Sequence, residues 1–194
     1  MIYISSIIDF KFVDVYFYNR SEKNVSPLSG NTSVDDPKFA SNNEISFLTD
    51  MGNKNVSEDI RSSLNIALKH KDHGAILFFA SIKEEIVGVY CFSDMDKYIP
   101  YNFMKSIERN GRCGMIFHCR TSKMCQGRGI YSRALRMICK EYGPSFDNIM
   151  ITAGSRNTAS NRAIMNSGFE KKMRMTRFKI LSYEKAWSKN TKSL

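Results

Sequence analysis

Two periods organise the apolar positions of this chain, and the change from one to the other marks its elements. Met115 to Thr121 (MIFHCRT) reads as a buried strand. Ile130, Tyr131, Ala134, Leu135, Ile138, Cys139 and Tyr142 then recur at helical spacing. Arg133, Arg136 and Lys140 occupy the opposite face, and Gly143-Pro144 stops the helix. Upstream, Ser57 is a candidate cap for a helix with Glu58 and Asp59 in its first turn. Its apolar stripe is Ile60, Leu64, Ala67 and Leu68, and Lys69, His70 and Lys71 lie near its negative end before Gly74. That spacing makes His70 and His73 helix-terminal surface residues. Ala75 to Ser81 and Ile86 to Phe92 flank the charged turn Lys83-Glu84-Glu85 and predict an antiparallel hairpin. Downstream, Ile149 to Ala153 is a strand, Asn157 starts a helix that Gly168 ends, and a last strand runs from Phe169 towards Ile180.

The ends of the chain are less regular. Residues 12 to 19 (FVDVYFYN) are aromatic and β-branched and predict a strand, with Ile2 to Ile8 as its candidate partner. Residues 20 to 45 lose apolar content and gain Ser, Asn, Asp, Pro and Gly, which predicts a long loop. Ser93 to Arg112 carries Tyr98, Pro100, Tyr101, Phe103 and Arg109 and reads as a loop with a short helix. It could line a pocket or simply pack on the core. Ser182 to Leu194 reads as too short and polar for a further strand. No repeat or linker divides the chain, so a single domain over residues 1 to 194 is expected.

Composition narrows the function classes. A hydrophobic content of 42% with 25% charged residues describes a globular protein, and no apolar run reaches membrane-spanning length. The opening lacks a basic segment, and Asp9 and Lys11 interrupt its apolar run, which argues against a signal peptide. Five cysteines without CxxC spacing suit free thiols in a reducing compartment, hence the cytoplasm. The formal net charge of +10 would attract anionic partners, yet the lysines and arginines are spread along the chain. Without a dense basic block or a nucleic-acid signature, the sequence argues against a nucleic-acid partner.

Candidate chemistry concentrates at Gln126-Gly127-Arg128-Gly129-Ile130-Tyr131, between the strand and helix first described. A glycine-punctuated turn opening a helix gathers free backbone N–H groups and the positive end of the helix dipole. Gly127 and Gly129 lack Cβ, so a phosphate could approach the backbone closely; equally, they could just allow a tight turn. A P-loop is excluded because Gly129 is followed by Ile130-Tyr131 rather than Lys-Ser/Thr. The dinucleotide fingerprint is excluded because its third glycine position falls on Ser132 or Arg133, and the next strand ends in Thr152-Ala153-Gly154 without an acid. Cys119, Cys125 and His118 match no zinc spacing, so no metal is expected.

A second segment, from Asn157 through Ser160 to Gly168-Phe169, completes a pattern. With Gln126 and Gly129, it resembles the GNAT superfamily of acyl-CoA-dependent N-acyltransferases. That family's marks are a Gln/Arg-x-x-Gly-x-Gly/Ala turn and an Asn-x-x-Ala/Ser helix ending in Gly-Phe. The resemblance covers residues 56 to 180 and leaves residues 1 to 55 mostly outside it. It implies an α/β (α+β) fold: a mixed, mostly antiparallel sheet flanked by helices, with a splayed fourth strand. The family usually closes with two strands.

The resemblance also implies roles. Strand backbone through Cys119 and Thr121 would pair with pantetheine and hold the thioester oxygen. The turn Gln126, Gly127, Arg128, Gly129, Ile130 and Tyr131 would bind pyrophosphate through main-chain amides, with Arg128 as counter-charge. Asn157, with Ser160 in the same motif, would contact the pantetheine arm. Acetyl-CoA or another acyl-CoA is the implied cosubstrate, and a small-molecule amine the implied acceptor. Departures stand beside the matches. Ile164 sits where many relatives have a Tyr acid, Met115 where some have a Glu base, and Tyr131 at the last Gly/Ala position. Tyr131 could crowd the cofactor, pack in the core or replace the missing acid. Alternation puts His118 opposite Met115, Phe117 and Cys119 unless a bulge reverses it. His118 and Tyr131 are therefore the catalytic candidates, with loss of neither expected to abolish activity. A GNAT-like binding or sensor module without catalysis, and a basic RNA-binding domain, are the alternatives.

Overall fold

An eight-stranded sheet runs through the protein in a computed structural model that describes residues 8–19, 37–41, 56–180 and 183–190. In chain order the strands are β1 (Ile8–Asn19), β2 (Lys38–Ser41), β3 (Ile76–Ile82), β4 (Glu85–Asp94), β5 (Cys113–Thr121), β6 (Asn148–Gly154), β7 (Glu170–Ile180) and β8 (Tyr183–Asn190). The helices are α1 (Glu58–Asp72), α2 (Ile130–Tyr142) and α3 (Thr158–Asn166). The spatial order β2-β3-β4-β5-β6-β1-β7-β8 is antiparallel throughout except for β5 and β6. The predicted mixed, mostly antiparallel sheet with flanking helices is thus present.

Each face of the sheet buries its own core. On one face Ile60, Leu64 and Ala67 of α1 pack with Val89, Cys91, Met115 and Phe117. Their spacing sets one stripe of a helix, and Leu68 falls outside it at 36% exposure. On the other face Ile130, Ala134, Leu135 and Ile138 of α2 and Ile164 of α3 pack with Tyr16, Tyr90, Phe92 and Ile151. The hairpin between β3 and β4 turns on Lys83 and Glu84, both at positive φ, so Glu85 already belongs to β4.

Several expectations at the chain ends need correction. β1 begins at Ile8, and within the sheet its partners are β6, from Val13–Gly154 to Asn19–Asn148, and β7, from Ile8–Ile180 to Phe17–Glu170. Residues 1–7, offered as its partner, lie outside the described residues. Part of the expected 20–45 loop is the strand β2 on the edge beside β3. The polar tail does supply a strand, β8, because an edge beside β7 needs hydrogen-bond partners more than apolar side chains.

The insertion of β1 is secured by a buried charge. Asp14 is 3% exposed and accepts hydrogen bonds from Arg174 Nε at 2.7 Å and Nη2 at 3.3 Å. Lys171 Nζ lies 2.8 Å from its other side. Burial alone would raise the Asp14 pKa, but Arg174 and Lys171 outweigh it and hold the carboxyl below its ordinary value. A lowered folded-state pKa stabilises the fold fully above the unfolded value of about 3.9, and that contribution is lost as pH falls through the folded value. Asp14→Asn should therefore cost about 2 kcal/mol at neutral pH. In urea titrations the gap between parent and variant should narrow as pH drops below about 4; a gap independent of pH would exclude this linkage.

Candidate active site

The parallel pair β5–β6 does not stay together. It is joined only from Cys113–Asn148 to Ile116–Ile151, although both strands continue. From Phe117 to Thr121 β5 has lost its β6 partner, while β6 runs on to Gly154. The cause lies on the other side of β5. Val89 pairs with Arg120 and Cys91 with Phe117, so Tyr90 alone faces both His118 and Cys119. This is a β-bulge, and it bends the strand. His118 takes φ +45°, rare for a residue with a Cβ.

The bulge settles which way His118 points. Strict alternation would set it opposite Met115 and Phe117; instead its ring lies on their side, facing α1, and Cys119 turns to the α2 side. His118 Nε2 is 2.8 Å from the Ser63 carbonyl oxygen of α1. A carbonyl only accepts, so Nε2 donates. His70 is half-buried rather than fully exposed. Its ring stands edge-on to Phe117 at 5.0 Å and lies 5.6 Å from His118, and its Nδ1 is 2.7 Å from the Tyr98 hydroxyl. Burial, with His118 and His73 nearby, lowers its pKa. His73 stacks on Tyr98.

On the α2 side, the split and the following turn form a cleft of about 510 Å³. Cys119, Thr121, Gln126, Gly127, Gly129, Ile130, Tyr131, Asn157 and Ser160 all line it, so nine of the residues singled out by sequence converge. Arg128 is exposed beside them and does not line it; His118 lies on the other face. Gly127 and Gly129 have φ of +79° and +73°, and no heavy atom lies within 4 Å of where a Cβ would stand. Both the backbone conformation and the open approach therefore suit glycine. Gly129 caps α2 with no side-chain hydrogen bond, and no acidic residue occupies the first turn. The N–H groups of that turn are left for an anion in the cleft. Asn157 Oδ1 accepts from Ser160 N at 3.1 Å, capping α3 across the cleft.

Tyr131 is wedged between these parts. It stacks parallel to Tyr90 at 6.0 Å, beside the Cys119 thiol, which donates to the Phe117 carbonyl at 3.5 Å. Burial, then Cys119, raises its pKa well above the ordinary phenol value, so it stays protonated. Burial likewise pushes the Cys119 thiol up to about 12. Tyr90 in turn meets Thr121 Oγ1 at 2.9 Å.

A staple invisible in the sequence holds the turn. The Asp59 carboxylate accepts from Lys123 N at 2.6 Å and from Ser57 Oγ at 3.1 Å. Ser57 Oγ also meets Ser122 Oγ at 3.1 Å instead of capping its own helix. The Lys123 bond, the largest cause, lowers the Asp59 pKa. Asp59 suggested only a helix-dipole partner from its position; Lys123, in the turn after β5, becomes its neighbour through folding.

A second cleft, of about 710 Å³, opens on the α1 face at the end of β6. Tyr101 and Phe103 form one wall, so the Ser93–Arg112 excursion both packs, through Met104 and Ile107, and lines a pocket. Asn157 borders both clefts.

The acetyltransferase (GNAT) family model matches residues 44–169, most of the chain. The chain belongs to the GNAT acetyltransferase family. Among solved structures, a Novosphingobium aromaticivorans protein assigned to the GNAT family superposes with a TM-score of 0.52 at 10% identity, over 88% of this chain and 64% of its own. A conserved Staphylococcus epidermidis protein of unknown function gives 0.52 at 14% identity, over 91% and 65%. At such identities the likeness is one of fold, and the chain spans less than two thirds of either length. No curated protein matches it. Within this GNAT chain, Met115 and Ile164 are both fully buried in the core.

Gly129→Asp adds a side chain at φ +73° and a carboxylate at the anion site. It should weaken CoA binding by about tenfold or more in calorimetry, and Arg128→Ala by much less. Asp59→Ala should weaken CoA binding by about threefold and destabilise by about 1 kcal/mol, since it frees the turn without touching the cleft. A Gly129→Asp variant that folds and binds CoA like the parent would mean the turn is not the anion site.

Proposed function

We propose that this protein is an N-acyltransferase that moves an acetyl or other acyl group from acyl-CoA directly to a small amine acceptor. The observation that carries the reading is the split beyond Ile116, with an anion-ready turn at one end and a cleft on each face. Unpaired β5 backbone from Phe117 to Thr121 suits the amides of an extended pantetheine arm, which would add as a further strand. The pyrophosphate would rest on the N–H groups from Gly127 to Tyr131, and Asn157 and Ser160, across the cleft, would contact the pantetheine arm. A thioester in the split would then face an amine held in the second cleft.

In this reading the new C–N bond forms as the C–S bond breaks. The amine loses one proton and the departing thiolate gains one. A strand N–H beside the bulge stabilises the oxyanion. Tyr131 lines the cleft beside the turn, where its phenol would be the donor to the departing sulfur, though burial makes it a weaker acid than a free phenol. His118 lines neither cleft and is tied to Ser63, so we assign it to holding the bulge and leave the amine proton to water. Rate then rests on positioning. Four buried free cysteines and one half-buried suit a reducing cytoplasm, and no helix among the described residues is long and apolar enough to cross a membrane. Burial of Met115 and Ile164 favours a second reading, an acyl-CoA-binding or sensor module without turnover. Tight acetyl-CoA binding with no product across an amine panel would select it.

The transfer reading predicts that kcat/KM rises with pH towards the pKa of the free acceptor amine. His118→Ala should cost about tenfold or less, below the hundredfold of a lost general base. His118→Asn should retain more than Ala, because Asn tolerates positive φ, although its amide is too short to reach the Ser63 carbonyl. Tyr131→Phe should lower kcat by about tenfold without abolishing activity. A hundredfold loss in folded His118→Ala with CoA affinity intact would make His118 the base.

A further inference from the structure

Along β6 the side chains that face α1 step down and end in a gap. Met150, Thr152 and Gly154 share that face by strand alternation, and Met150 belongs to the α1-side core. Met150 is fully buried, Thr152 is half-buried, and Gly154 has no side chain. Their partners on β1 are Phe17, Val15 and Val13, all packed on the same core. Nothing in the fold calls for glycine at the last of these positions. Gly154 pairs with Val13 in unbroken antiparallel register and does not take positive φ. No heavy atom among the described residues lies within 4 Å of where its Cβ would stand. A β-branched residue would suit such a strand better, because glycine costs conformational entropy and packs nothing. What the missing side chain does is leave space on the floor of the second cleft, which Val13, Thr152 and Gly154 line.

The surroundings of the gap are fixed. The Gly154 carbonyl accepts from Asn157 N at 2.8 Å and from Asn161 Nδ2 at 3.2 Å. Tyr101 and Phe103 form a wall of the same cleft, their rings 5.9 Å apart and 20° from parallel. Tyr101 also stands edge-on to Phe117 at 6.3 Å, and Phe117 is the first β5 residue beyond the split. Val13, Tyr101 and Phe103 are all at least half-buried, whereas the charged lining residues Lys11 and Arg156 are exposed.

We infer that the second cleft takes an acceptor whose amine is carried on a flat apolar body of about phenyl size, as in an arylalkylamine, and that Gly154 sets that size. The acceptor role rests on the acyl-transfer reading; the binding preference does not. The body lies over Gly154, beside Val13 and the Tyr101–Phe103 wall, where ring contacts and removal of apolar surface from water both favour it. Because Phe117 sits against that wall, an amine on a short linker reaches the split. A small alkylamine gains neither contact and leaves the gap to water.

The test uses the full chain with acetyl-CoA and two acceptors, phenethylamine and ethylamine, with kcat/KM expressed per free amine so that basicity cancels. The parent should prefer phenethylamine by about tenfold or more. Gly154→Val puts an isopropyl group into the gap and should lower that preference by about tenfold, and Gly154→Ala by about threefold. Acetyl-CoA affinity in calorimetry should stay at the parent value, and both variants should melt at or above the parent temperature. A Gly154→Ala variant that melts well below the parent would show that the glycine serves the fold and would overturn the assignment. So would a loss of acetyl-CoA affinity, a parent that prefers ethylamine, or a preference unchanged by Gly154→Val. Binding of N-acetylphenethylamine, followed by NMR, reads the cleft without turnover. If the parent binds it and Gly154→Val binds it about tenfold more weakly, the inference stands even where no amine is acylated and the transfer reading falls. If both bind it alike, or neither does, the inference fails whatever the enzyme does.

Discussion

Everything at this site depends on one strand pair coming apart. Backbone N–H and C=O groups are strong hydrogen-bonding groups, and a sheet normally pairs them. Here β5 and β6 pair for four residues and then diverge, which leaves half of the next β5 segment's groups without a strand partner. The divergence is enforced from behind by the extra residue opposite Tyr90, and by a histidine held at positive φ through a bond to the helix above it. Such a bulge would slip back into register if nothing held it. Its cost is of the order of 1–3 kcal/mol, set against an apolar core on both faces of the sheet.

The surrounding elements keep that opening in shape. Asp59 and Ser57 tie the start of α1 to the turn after β5, and α2 begins immediately beyond it at Gly129. One helix thus fixes the bulge through the Ser63 carbonyl and the turn through Asp59. β1 fixes the far side. It fills the slot between β6 and β7, ahead of the region that the family model matches, and Asp14 locks it to β7 with two cations. The same strand supplies Lys11, Phe12 and Val13 to the second cleft. The region of the chain furthest from the family pattern therefore helps to shape the side where an acceptor would lie. The CoA-like side is built from the part that the pattern does cover.

Local regularities were legible in the amino-acid order. The stripes Ile60-Leu64-Ala67 and Ile130-Ala134-Leu135-Ile138 gave their helices because a helix returns to one face every three or four residues. The glycine turn could be read because positive φ and open backbone favour glycine at two fixed positions. Nine of the named turn, strand and helix residues then met around one cleft, because short-range spacing places them on consecutive elements. Long-range partners were not legible. No periodicity tells that β1 slips between β6 and β7, since an alternating strand carries no address for its neighbour. The polar β8 was missed because edge strands are held by backbone bonds that side-chain patterns do not record. The face of His118 stayed open because one bulged residue inverts strand parity, and His70, read as a surface residue, is half-buried because Phe117 and Tyr98 pack beside it. The sequence by itself determined most of the elements, the family and the glycine turn, because those rest on neighbours a few residues apart. Only the tertiary structure decided the split, the Asp59 staple and the second cleft, because each joins residues far apart in the chain through contacts that folding alone creates.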